Sequence, residues 1–147
     1  MSGIVCAIRG GPGSRPTIDK AISLAAESDL RIYFLYVVNL DFLAHTQSSR
    51  IHSITEEMTQ MGEFILLSAQ ATANAKNVGA EGVVRQGDIG EEIVNLCLEV
   101  KADYVILGTP QVEREENIFN IQRLNTFRER LEGETGAQVV LVGGEAE

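Results

Sequence analysis

Apolar runs of strand length at residues 3–8, 31–38, 81–85, 104–107 and 138–142 alternate with longer segments whose apolar residues recur at helical spacing. This alternation leaves few folds open. Parallel strands need crossovers long enough to hold a helix, and right-handed crossovers lay those helices on the faces of a common sheet. The order β-α-β-α-β-α-β-α-β therefore predicts an α/β fold: a three-layer α/β/α arrangement around a five-stranded parallel sheet, Rossmann-like. The 147 residues contain no linker, repeat or low-complexity block, so residues 1–147 read as a single domain. A chain of this length buries roughly 70% of its unfolded surface and needs no staples.

The helices carry their own signals. Pro16 stands in the first turn of the first helix, with Ser14 or Arg15 near the cap. Ile18, Ala21, Ile22 and Ala25 form its apolar stripe. The second helix is expected over 51–77. Ser53 and Glu56 have capping-box spacing, Ile54, Met58, Met61, Ile65 and Ala69 form a buried stripe, and Gly79 is the stop. Asp88, with Glu91 three residues on, caps the third helix, where Ile89, Ile93, Cys97 and Val100 share a face. The fourth is expected over 119–132. Tyr33, Phe34, Tyr36 and Phe64 follow strand or helix periods and are read as core.

Charge and residue usage narrow the function. The net charge of -9 argues against nucleic acid and against anionic membranes, since both need clustered Lys and Arg. No apolar stretch approaches the roughly 18 residues of a membrane span, and nothing near Met1 resembles a signal peptide. A cytoplasmic protein is expected. Cys6 and Cys97 lie in apolar segments without CxxC spacing and are expected to be buried and unpaired. His45 and His52 lack a third ligand, so no metal is expected. No GxSxG, HExxH or Cys-His signature is present, and no catalytic residue is assigned.

In open parallel sheets, ligands bind beyond the carboxyl ends of the strands where strand order reverses. The loops after the first and fourth strands are the places to look. The first reads RGGPGS, residues 9–14. Glycines permit positive φ and close backbone approach, and successive amides can form an anion-binding nest at a helix start. It is neither a Walker loop nor GxGxxG, and it only faintly resembles the SGGxDS loop of ATP pyrophosphatases. The plain alternative is a turn between strand and helix.

The segment VVRQGDIGEEIVNLCLEVKADYVILGT, residues 83–109, closely resembles the universal stress protein family: Gly87-Asp88, Ile93, Ala102-Asp103 and Gly108-Thr109 stand in that family's order. Residues 4–10 with Ala21, and FLYVV at 34–38, are similar to its first strand and helix and its second strand. The resemblance implies a nucleotide site, carried over residue by residue. Arg9 stands where ATP-binding members have an Asp, beside Gly10. The main chain at Val37 or Val38 corresponds to their adenine contact. Gly108 and Thr109 open their phosphate loop Gly-x2-Gly-x9-Gly-Ser/Thr, whose second glycine is Gln111 here. At strict spacing its end falls on Ile121 and Gln122; counted back from the last strand it falls on Asn125-Thr126. No glycine occurs between Thr109 and Glu132, and Glu113, Glu115 and Glu116 intervene, where carboxylates repel a triphosphate.

The resemblance thus implies a binding and regulatory protein without robust catalysis. Its alternatives are an ATP- or AMP-binding member using Gly10, Val38, Gly108 and Thr126, and an ATP-using α/β enzyme. ATP is expected to bind weakly. A homodimer through the edge strand Gln138–Val142 is expected, as in the family.

Overall fold

The computed structural model describes residues 3–9, 14–39, 51–108 and 115–142, with the side chains of 51–52 and 115–121 left aside. Its elements are β1 (Gly3–Ala7), α1 (Arg15–Ser28), β2 (Arg31–Val38), α2 (Ile51–Asn74), β3 (Ala80–Gln86), α3 (Ile89–Val100), β4 (Ala102–Gly108), α4 (Glu115–Thr135) and β5 (Gln138–Val142). All strand pairs are parallel and the order is β3-β2-β1-β4-β5. The chain steps outward from β1 to β3, then crosses back to β4, so strand order reverses between β1 and β4.

Alternation along β1 sorts its side chains between two cores. Ile4, Cys6 and Ile8 join Ile32, Phe34 and Tyr36 beneath α1 and α2. Val5, with Leu35, Val105 and Leu107, packs instead against Ile93 and Cys97 of α3 and Leu131 of α4. Cys6 and Cys97 are both free and buried, on opposite faces of the sheet. Burial raises both thiol pKa values, that of Cys97 to about 12.

Several boundaries and faces differ from the sequence reading, each for a local reason. Ser53 lies inside α2 and does not cap it. The helix closes through Asn77, whose φ of 63° is left-handed, and not through Gly79. Met58, Ile65 and Ala69 pack on the core as expected, but Met61 is 58% exposed, and Gly62 and Leu66 take inward places. Gly62 is needed there: a Cβ would lie 2.3 Å from Cδ2 of Tyr36. Phe64, read as core, is 73% exposed on the opposite side of the helix. Ile89 is also exposed, whereas Ile93 and Cys97 are buried.

The remaining helix ends are closed locally. Ser14 occupies the N-cap position of α1 without a side-chain capping bond, and Pro16 follows in the first turn. Asp88 does cap α3, accepting from the Glu91 amide at 3.0 Å. Helix α4 starts earlier than expected, at Glu115. It ends where the Thr135 hydroxyl donates to the Leu131 carbonyl at 2.8 Å and Gly136 adopts a φ of 77°.

Candidate functional site

A cavity of about 920 Å³ opens at the carboxyl ends of β1, β2 and β4. Its location follows from topology. The crossover from β3 to β4 sends α3 to one face and leaves α1 and α2 on the other, so a crevice remains above the β1–β4 step. Leu35 and Val37 of β2 and Leu107 of β4 line one part, and Ile93 of α3 with Leu124 and Phe127 of α4 line another. Met58 of α2 reaches it from the opposite layer.

The polar groups are few. Among the described lining residues the charged ones are Arg9 and Arg123, and none is a carboxylate. In a chain of net charge -9 this is a local reversal of sign. Arg9 sits just beyond β1, where the Ile8 amide donates to the Leu35 carbonyl at 2.9 Å and extends the ladder to the rim. Asn39 and Tyr36 add polar atoms on the β2 side. The acidic residues at the start of α3 are held in ion pairs: Glu91 with Arg130 at 2.9 Å, Glu92 with Arg85 at 3.8 Å. Arg85 also meets Glu99 at 2.7 Å, a hydrogen bond that holds the Glu99 carboxyl below the usual range.

The Gly87-Asp88 pair has a structural task at this rim. Gly87 has a φ of 146° and its amide donates to the Val38 carbonyl at 3.0 Å, turning the chain from β3 into α3. Asp88 then caps the helix, and Gly90, in its first turn, lines the cavity. A Cβ on Gly90 would stand 3.2 Å from Phe127, so glycine lets α3 and α4 close up behind the cavity.

The residues singled out from sequence fall in different places. Arg9 and Gly108 both line the cavity. Gly108 also has a packing reason to be glycine, since a Cβ would lie 3.0 Å from the Thr17 hydroxyl of α1. Val38 is fully buried with its carbonyl taken by Gly87; its neighbours Val37 and Asn39 line the cavity. Asn125 and Thr126 are exposed on α4 and do not line it. Gly10 and Thr109 lie outside the described residues. Arg123 was missed by sequence reading. The signal was present in the spacing of Leu124, Phe127 and Leu131, which marks the inward face of α4 and puts Arg123 beside it.

Among the described residues no three His, Cys, Asp or Glu come together as a metal site, and no helix is long and apolar enough to cross a membrane. His45 and the side chain of His52 lie outside the described residues.

No curated protein sequence matches the chain significantly. Solved structures do. One is a protein of the universal stress protein family from Burkholderia pseudomallei, 20% identical over 95% of both chains with a TM-score of 0.72. Another is a universal stress protein in complex with cAMP, 19% identical over 98% of both chains, TM-score 0.71. A third is the universal stress protein from Archaeoglobus fulgidus in complex with dAMP. It is 15% identical over 97% of this chain and 98% of that one, with a TM-score of 0.59. Identities this low establish the shared fold. The family assignment comes from sequence: the model of the universal stress protein family matches residues 1–142. With that match along nearly its whole length and the same parallel sheet, the chain belongs to the universal stress protein family.

Proposed function

We propose that the chain is a cytoplasmic regulatory protein that binds an adenine mononucleotide in the cavity at the β1–β4 step and does not turn it over. The observation that carries this reading is that Arg9 and Arg123 line one mostly apolar cavity with no described carboxylate. A cavity of about 920 Å³ is of the size that encloses small-molecule ligands. Phe127 offers a ring face and Val37 and Leu124 apolar contact for a base, with Asn39 near its edge. The arginines suit a phosphate, whose oxygens accept bidentate hydrogen bonds from guanidinium. The complexes of relatives with cAMP and dAMP support a monophosphate. Pro110 brings no amide hydrogen to a phosphate cradle, and Glu113, Glu115 and Glu116 follow it in sequence, which disfavours a longer polyphosphate. Gly10 and Thr109 are assigned to the same site as chain neighbours of Arg9 and Gly108. A homodimer through β5 belongs to the same reading, because an edge strand of Gln-Val-Val-Leu-Val leaves backbone groups open to pairing.

Calorimetry with AMP, cAMP and ATP tests it. AMP or cAMP should bind more tightly than ATP, whose affinity should be no better than high micromolar, roughly -5 kcal/mol. Arg9→Ala should weaken the monophosphate about fivefold, near 1 kcal/mol for one charge-assisted hydrogen bond at an exposed rim. Thr126→Ala should change nothing. Low-micromolar ATP lost on Thr126→Ala would restore a triphosphate site, and steady release of ADP or phosphate would make the protein an enzyme.

A further inference from the structure

We propose that the outward face of α2 is a docking surface for a basic amphipathic helix of another protein. The helix packs its inner side, with Leu66, Ala69 and Ala73, onto β2 and β3. On the far side Phe64 is 73% and Leu67 64% exposed, with Met61 beside them at 58%. Ala71, also exposed, continues the stripe one turn further. Scattered single apolar residues such as Leu98 on α3 need no explanation. A contiguous stripe centred on an aromatic does, because such patches mark interaction sites and aromatics anchor them.

Charge decides what covers it. At 100° per residue, Glu56 and Glu63 flank the stripe on the Leu67 side, and Glu57 stands in line with Phe64 two turns toward the N-terminus. All three are exposed. From Ile51 to Asn74 the helix contains no Lys or Arg. A second copy of the chain would bring these carboxylates against their own kind, and like charges across an interface oppose it. A membrane surface calls for the reverse pattern, an apolar face bordered by Lys and Arg. The complement is a partner helix with an apolar stripe at i, i+3, i+4 and i+7 and cationic residues along the border that meets Glu56 and Glu63 and at the end that meets Glu57.

The surface can be tested with the intact protein and a synthetic peptide of about 18 residues, five helical turns, carrying a leucine stripe flanked by lysines. A second peptide keeps the stripe and has glutamate flanks. The lysine peptide should bind, with amide shifts in 15N spectra confined to α2. Phe64→Ser with Leu67→Ser should weaken it at least roughly tenfold without lowering the melting temperature, since both side chains face solvent. Glu57→Gln with Glu63→Gln should weaken it and flatten its salt dependence. Four results would overturn the proposal. These are no binding of the lysine peptide, equal binding of the glutamate peptide, shifts that map away from α2, or an α2-dependent self-association or phosphatidylcholine-vesicle binding lost in the Phe64 and Leu67 variant.

Discussion

Gly62→Ala should destabilise the protein even though alanine is the better helix former. In a helix interior the exchange by itself favours folding by about 1 kcal/mol. At this position the new Cβ would lie 2.3 Å from Cδ2, 2.8 Å from Cε2 and 3.0 Å from Cγ of Tyr36. Carbon atoms pack best at about 3.5–4.0 Å, so the ring or the helix must move by roughly an ångström. The contact is with the root of the ring, which no rotation of its tip relieves, and Tyr36 is only 9% exposed. Overpacking of a core costs about 1–3 kcal/mol, and an overlap this deep belongs at the upper end. The net loss is about 2 kcal/mol, a fall in Tm of roughly 4–8 °C for a chain of this size. Gly133→Ala is the control. Gly133 is exposed in α4, and a Cβ added there would meet nothing within 4 Å, so helix propensity acts alone and should add about 0.5–1 kcal/mol. Urea unfolding followed by far-ultraviolet circular dichroism reads both. In a Tyr36→Leu background the penalty at Gly62 should shrink. If Gly62→Ala matches or exceeds the parent in stability, or if both glycines respond with the same sign, the packing argument is wrong.

Individual residues elsewhere in the fold carry further expected outcomes. Asp88→Ala removes the side-chain acceptor for the Glu91 amide and should cost about 1 kcal/mol, whereas Asp88→Asn should retain most of it; thermal melts distinguish the two. Cys6 and Cys97 should resist maleimide at neutral pH in the native state, because burial holds both thiols protonated. Since those folded pKa values lie above the unfolded value, the stability they contribute is complete below the ordinary thiol value of 9.0 and is lost as pH rises; for Cys97 the loss runs from there to about 12. Cys97→Ala should flatten that alkaline decline in a pH series of urea midpoints, and an unchanged slope would count against it. If β5 pairs with its copy as proposed, the protein should sediment as a dimer, and a wild-type protein monomeric at high concentration would remove the idea.

Amino-acid order alone determined the architecture. Runs such as Arg31–Val38 and Gln138–Val142 have the same limits in sequence and structure, because period and β-branched content are local properties. The Asp88 cap was legible for the same reason: its acceptor and its donor amide are three residues apart. Only the tertiary structure decided which face of each helix meets the sheet when apolar residues stand on both. Phe64 and Leu66 are equally apolar; the sheet covers Leu66, and Phe64 is left to solvent. Gly62 illustrates the same limit, since nothing nearby in sequence announces the Tyr36 ring. The cavity was legible as a place, beyond the carboxyl ends of β1 and β4, but not as a set of side chains. Arg9 comes from one loop and Arg123 from a helix far along the chain, and that both line one cavity depends on how α4 packs. Counting spacing pointed to Asn125 and Thr126, while the packing of Leu124 and Phe127 turns those two outward, because a helix buries one face and exposes the other.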